Sequence, residues 1–258
     1  MNNVKHSLTT NQLQLNTTKT KYMIFTPKLT KYKNLSITVK LDDDDSEIER
    51  VGEYKYLGLV IDDKLTWKSH LKFLKSKLSR SLGILYKLRY LLDKSVLLTI
   101  LHSLFLSHLQ YGILCWARCT ASEMKPIQIL LNKAIRCINF CHPQDSVHNF
   151  LFQDKILKVD DIFKMELAKF MHNYKNGNLP SSFKHYFLKL NSHHNHQTRA
   201  TKCNYFIPRK NTSKGLKSLS YLGPRLWSEI PDSIRDKRSV QCFGFAYKKF
   251  LLLNYNNI

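Results

Sequence analysis

The spacing of apolar positions changes period once along the chain, near Trp67, and separates two kinds of element. Before that point the pattern is short and strand-like. Tyr22-Met23-Ile24-Phe25 is an apolar run closed by Pro27, and Leu35–Leu41 alternates apolar and polar, the period of a strand with one covered face. Tyr54–Ile61 is a third predicted strand, in which Gly58 marks a bulge or a close backbone approach. Asp42 to Asp45 reads as an acidic turn. From Trp67 onward Leu71, Leu74, Leu78, Leu82, Leu85, Leu88 and Leu92 recur at three- and four-residue steps and form one apolar stripe of a helix. Lys68, Lys72 and Lys75 share another face of it.

Further helices are predicted over Ser95–Cys115, with Asp93 placed to cap it, and over Glu123–Phe140, with Pro126 in the first turn. Two more cover Asp160–Tyr174, stopping near Asn176-Gly177, and Ser239–Leu253. Leu190–Ser218 lacks a period and reads as a long loop or mobile tail; Tyr221–Trp227 opens a compact ending. The expected fold is mainly α with a small N-terminal α+β part, in three regions: 1–63, 64–190 and 191–258.

No charge lies between Lys94 and Arg118, and Val96–Ala117 is long enough for a bilayer, at about 20 residues. It carries Thr99, His102, Ser103, Ser107, His108 and Gln110, each unfavourable in lipid. The stretch is therefore read as a helix buried inside a helical domain, with no membrane partner.

Composition adds a partner to this picture. With 43% hydrophobic residues, the 258-residue chain can build a core, yet 41 Lys and Arg face 19 Asp and Glu, a formal charge of +22. The imbalance is patterned. No acid precedes Asp42, none lies between Asp63 and Asp93, and none between Glu166 and Glu229. Surfaces built for solubility mix both signs; long single-sign runs favour a polyanion, whose binding releases counterions. Lys202, Arg209, Lys210, Lys214 and Lys217 in the last run join Lys68, Lys72 and Lys75 as a candidate nucleic-acid face. Its partners would be RNA and DNA backbones without base readout; an anionic membrane surface is the alternative. The polar N-terminus, Met1 to Asn16, and the six cysteines suggest reduced thiols in a nuclear or cytoplasmic protein.

Candidate chemistry is sparse. Cys115-x3-Cys119 and Cys137-x3-Cys141, the latter beside His142, have spacings that zinc could use, or they pack as small hydrophobes on apolar helices. His193-His194-Asn195-His196 is either an adventitious metal site or a loop with pH-dependent charge. Asp62-Asp63 after a strand imitates a polymerase carboxylate pair, but the bland reading is a polar turn that caps the next helix. Neither a catalytic residue nor a metal ligand is assigned.

Four stretches in order carry a family resemblance. They are Leu13–Phe25, with its Asn16-Thr17-Thr18-Lys19-Thr20 turn; Tyr54–Asp62 with Leu65-Thr66-Trp67-Lys68-Ser69-His70; Tyr111–Trp116 with Leu130–Arg136; and Ser218–Trp227 with Ile230-Pro231 and Phe243–Leu253. Together they resemble the C-terminal part of a LINE-type, Jockey-like non-LTR retrotransposon reverse transcriptase: the end of the palm, the helical thumb and the region beyond. The resemblance implies a nucleotide-phosphate contact at Lys19, where the local alternative is a lysine on a solvated turn. It implies a primer-strand region at Tyr56, Leu57 and Gly58. In that family the carboxylates that hold Mg2+ come from segments upstream of the Asn-x-x-Lys-Thr turn. The expectation is thus a polymerase fragment that keeps the template and primer grip and lacks the catalytic aspartates, the upstream palm being missing. Such a chain is expected to need no cofactor and to be inactive, although the intact enzyme would use Mg2+. The alternatives are a standalone basic helical RNA- or DNA-binding protein and a non-functional remnant of a decayed transposon.

Overall fold

The structure is a computed structural model that describes residues 6–7, 10–12, 16, 19–25, 37–41, 44–190 and 205–255. It is mainly helical, with a few short strands towards the N-terminus. The chain divides into two compact units, Met1–Phe73 and Leu74–Ile258.

The first unit holds the strands. β1 (Lys21–Tyr22), β2 (Ile37–Leu41) and β3 (Asp44–Arg50) form one sheet in the order β1-β3-β2. β1 runs parallel to β3, with Lys21 opposite Glu49, and β2 pairs antiparallel with β3, from Ile37↔Ile48 to Leu41↔Asp44. Two expectations change here. Met23, Ile24 and Phe25 lie beyond the strand, which ends at Tyr22, because β3 ends at Arg50 and leaves them no ladder. Asp44 and Asp45 belong to β3 instead of a turn: ladder pairing overrides the low strand propensity of aspartate.

The predicted single strand Tyr54–Ile61 is folded back on itself. β4 (Glu53–Tyr56) and β5 (Leu59–Asp62) are antiparallel, with Tyr56 opposite Leu59. Leu57 and Gly58 make the turn with φ of 45° and 81°. A two-residue hairpin loop matches the twist of its strands when both central residues have positive φ. Gly58 meets that demand without strain and Leu57 does not.

The first helix, α1 (Lys68–Leu88), begins in the first unit and continues into the second. Leu71, Leu74, Leu78, Leu82 and Leu85 are all buried, as the stripe requires, while Leu92 lies past the helix end. The next stretch is helical but not one helix. It comprises α2 (Lys94–Ile100), a π-helical turn over Leu101–Leu106, α3 (Ser107–Gln110) and α4 (Ile113–Trp116). Asp93 holds the N-cap position without a side-chain hydrogen bond, so the expected cap is not made. Gly112 breaks the chain in the left-handed region at φ 62°.

The π turn has a cause in the sequence. Leu97, Leu101, Phe105, Leu109 and Ile113 are buried at steps of four. On a straight α-helix each such step drifts by about 40° around the axis. A wider turn takes up the drift and keeps Leu97, Leu101, Phe105 and Leu109 on the covered face, while Ile113 follows the break at Gly112. The uncharged stretch is therefore not the fully buried helix expected: it covers one face, while Val96, His102, Ser103, Leu104, Ser107 and Gln110 are exposed. No helix among the described residues is long and apolar enough to cross a membrane.

α5 (Ala121–Ile138) starts two residues before the expected Glu123, because Thr120 and Glu123 form a capping box; the Thr120 N–H donates to Glu123 Oε2 at 3.0 Å. Pro126 consequently stands in the second turn. A short helix missed in the sequence, α6 (His148–Gln153), precedes α7 (Val159–Lys175), the hub of the second unit. Against α7 pack α3, α4, α5, α9 (Leu219–Glu229) and α11 (Val240–Leu253). Between these last two lies α10 (Asp232–Arg235). α9 comes close to α7 through Gly223, where a Cβ would stand 2.7 Å from Met171 Sδ and 3.2 Å from the Phe187 ring. Trp227 and Phe243 complete this core, each at most 1% exposed. The buried His172 stacks on Phe243, ring centroids 4.6 Å apart, and its Nε2 lies 2.7 Å from the Lys237 carbonyl.

Part of the predicted loop at 190–218 is built. Tyr205 is buried and bridges to Lys189, the Phe206 N–H donates to the Leu188 carbonyl at 2.8 Å, and α8 (Ser213–Leu216) is capped by Thr212. The His193–His196 cluster lies outside the described residues.

Candidate nucleic-acid interface

Lys19 stands on a turn fixed by Asn16. Its N–H donates to Asn16 Oδ1 at 3.0 Å, and the Thr20 N–H and hydroxyl both donate to the Asn16 carbonyl. Asparagine favours this arrangement because its side chain mimics a backbone turn. The Lys19 side chain is exposed. Tyr56 and Leu57 are 59% and 71% exposed at the tip of the β4–β5 hairpin, with Gly58 beside them, so these three form a protruding turn and not a bulged strand.

Asp62 is committed to the backbone. Its Oδ1 accepts from the Lys64 and Thr66 N–H groups at 3.2 and 2.9 Å, and its Oδ2 accepts from the Trp67 N–H at 2.7 Å. Burial pushes this carboxyl up, but the Thr66, Trp67 and Lys64 donors outweigh it and hold the pKa below the usual value. The donors fasten a turn in which Leu65 and Trp67 both have positive φ, 53° and 64°. The pair thus forms the expected polar turn through Asp62, but all three donors precede α1, so Asp62 fastens the approach to the helix and does not cap the helix itself. Trp67, half-buried, meets the His70 ring edge-on at 6.1 Å.

Lys68, Lys72 and Lys75 follow at four- and three-residue steps on α1 and so share one face. Lys68 and Lys72 are exposed and Lys75 half-exposed, and none of the three ammoniums meets a carboxylate among the described residues. No acid occupies the first turn of α1, so Lys68 adds charge to the positive end of the helix dipole. Several lysines elsewhere are paired: Lys94 with Asp154 at 2.6 Å, Lys164 with Asp161 at 2.9 Å, Lys175 with Asp236 at 2.8 Å.

The C-terminal basic residues divide into two kinds. Arg209 and Lys214 are exposed and Lys210 is half-buried. Lys217 is engaged in packing: its Nζ donates to the Cys119 carbonyl at 3.0 Å, and its own carbonyl accepts from Arg118 at 3.4 Å. Lys202 lies outside the described residues.

One constellation escaped the sequence reading. The Arg89 guanidinium lies 5.0 Å from the Tyr90 ring centre and 4.4 Å from that of Phe140, and the two rings meet at 5.6 Å. Tyr90 is 78% exposed, and Phe140, held at φ 55°, is 54% exposed. Aromatic faces presented beside a guanidinium suit stacking of unpaired bases. Tyr90 stands off the leucine stripe, which was a signal; Phe140 is remote in sequence, and nothing linked the two.

Of the cysteine pairs, Cys137 is buried in the core, where burial pushes its thiol upward, while Cys115 is exposed. Among the described residues no group of three or more His, Cys, Asp or Glu is placed to hold a metal ion. No protein-family model, curated protein or solved structure matches this chain.

Proposed function

We propose that this chain binds the backbone of RNA or DNA, as the template- and primer-gripping part of a LINE-type reverse transcriptase would, and carries no polymerase chemistry of its own. The observation behind the reading is the net charge of +22 together with an α1 face of Lys68, Lys72 and Lys75 that no acid neutralises among the described residues. Arg209, Lys210 and Lys214 supply a further cationic segment, and Lys19 is exposed to meet a phosphate. Such contacts are electrostatic and blind to sequence. The Tyr90–Phe140 faces would add base stacking on single strands.

The carboxylate pair most like a polymerase site, Asp62-Asp63, supports the second half of the proposal. Both oxygens of Asp62 accept backbone N–H groups, which leaves it unsuited to carry one of two catalytic metal ions. Binding to single- and double-stranded RNA and DNA in a salt series tests the first half, and primer extension on an RNA template tests the second. Sequence-tolerant affinity that falls steeply with salt supports the reading. Salt-independent binding, or extension of the primer, refutes it. A standalone binding protein with the same grip would give the same salt dependence.

A further inference from the structure

A pocket of about 470 Å³ opens in the second unit, lined by the π turn and α3, the Lys155–Leu157 segment, α7 and α11. That volume suits a small ligand, for which clefts span roughly 300–1,000 Å³. Leu106 and Met165 give it apolar surface; its charged groups are Lys155, Lys169 and Lys248, with His102 beside them and no carboxylate in the lining. Lys169 shares its charge with Glu166 at 2.8 Å. The ammoniums of Lys155 and Lys248 have neither a hydrogen-bond acceptor nor a carboxylate among the described residues.

Within this grouping Lys248 is the disfavoured charge. Burial first, and then the charges of Lys155 and Lys169, hold the Lys248 ammonium below the usual lysine range. Burial and Lys248 act in the same direction on His102. Lys169 has Glu166 as an offset, but the half-buried Lys248 gains none until an anion joins it. Gly244 contributes to the arrangement, since a Cβ there would stand 3.2 Å from Lys169 Cε; glycine lets that side chain lie against α11. Phe245, the next residue, also lines the pocket and is 77% exposed.

We propose that this pocket binds a phosphomonoester that carries an aromatic base, with the phosphate among Lys155, Lys169 and Lys248 and the base on Phe245. A terminal phosphate brings nearly two negative charges and three strong acceptor oxygens, which matches a cluster of lysine point charges. An exposed ring beside cations is a stacking surface for any base. A free nucleoside monophosphate and the 5′-phosphorylated end of a nucleic-acid strand both present this chemistry. The inference stands on the pocket alone and does not need the α1 face to bind strands.

The test is calorimetric titration of the full chain and of its Lys248→Met and Phe245→Ser variants. The ligands are adenosine monophosphate, adenosine, inorganic phosphate, and a short single strand with and without a 5′-phosphate. The monophosphate should bind and adenosine should not. Lys248→Met should weaken monophosphate binding by about ten- to a hundredfold, the worth of one charge-assisted hydrogen bond, while the melting temperature holds or rises. Phe245→Ser should weaken the monophosphate and leave inorganic phosphate unchanged. Tighter binding of the phosphorylated strand than of the unphosphorylated one, with the difference lost in Lys248→Met, identifies a strand end as the source, and equal binding of the two strands identifies a free nucleotide. Equal binding of adenosine and its monophosphate overturns the proposal. So does a Lys248→Met protein with unchanged affinity, or one with a lowered melting temperature, which would mark Lys248 as structural. Lys248→Met should leave the unphosphorylated strand's affinity unchanged, so failure of the pocket and failure of backbone binding appear in different arms.

Discussion

Replacing Asp62 by alanine should release the turn between β5 and α1. The carboxylate accepts N–H groups at 2.7, 2.9 and 3.2 Å, from Trp67, Thr66 and Lys64. The contact at 3.2 Å, to an exposed residue, contributes little because water replaces it readily. The other two belong to half-buried residues, and each resembles a helix N-cap bond, whose loss costs about 1 kcal/mol and up to about 2. Together they give about 2–3 kcal/mol, and the positive φ of Leu65 and Trp67 leaves the turn no relaxed conformation to retain without them. Asp62→Asn, which keeps an acceptor but no charge, should lose about half as much. Amide hydrogen exchange reads the effect locally: protection at Thr66 and Trp67 should fall about 30- to 150-fold in the alanine variant. The wild-type carboxyl has a folded pKa below its usual 3.8, so its stabilisation is present above that pH and is lost as the pH falls through the lower, folded value. Asp62→Asn should lack this acid-dependent component. Unaltered protection at both amides in Asp62→Ala would refute the assignment of Asp62 as the fastener of the turn.

Other perturbations follow from the same structure. Gly223→Ala should destabilise the protein by about 1–2 kcal/mol in urea unfolding, because crowding against Met171 and Phe187 exceeds the gain in helix propensity; a more stable variant would show that α7 and α9 are not in tight contact there. Leu57→Gly should stabilise the β4–β5 hairpin by about 1 kcal/mol, since it removes a side chain from φ 45°; a loss would mean that the exposed leucine has an unrecognised packing role. Tyr90→Ser combined with Phe140→Ser should weaken single-stranded more than double-stranded nucleic acid, by about 1–3 kcal/mol per stacked base in anisotropy titrations. An equal loss on both forms would remove the stacking assignment.

The sequence disclosed the helical part well because leucine repetition is a long, redundant signal. Every buried leucine of α1 from Leu71 to Leu85 stood in the stripe, and Ser81 is the buried position outside it. The N-terminal strands were harder, for their limits are set by partners: β1 stops where β3 stops, and Asp44 and Asp45 become strand because β2 runs beside them. The hairpin at Leu57-Gly58 was hidden by its composition, as leucine in a tight turn gives no turn signal. The break in the 95–115 helix was legible in principle, since apolar steps of four do not fit an α-helix over so long a run. Among candidate site residues, the α1 lysines came from periodicity alone. Lys217 did not reveal in sequence that its ammonium serves a carbonyl at Cys119, 98 positions away. The pocket of Lys155, Lys169 and Lys248 and the Arg89–Phe140 pair are likewise products of tertiary packing.

The most direct measurement of strand binding compares the salt dependence of wild type with Lys68→Gln/Lys72→Gln/Lys75→Gln, using fluorescence anisotropy of labelled oligonucleotides. Each phosphate neutralised contributes about −0.9 to the slope of log K against log salt on duplex and about −0.7 on single strands. The wild-type slope should be steep and the same for unrelated sequences, and the triple variant should be shallower by about 2–3 with its fold intact. A slope unchanged by the three substitutions would contradict the assignment of the α1 face as a backbone grip.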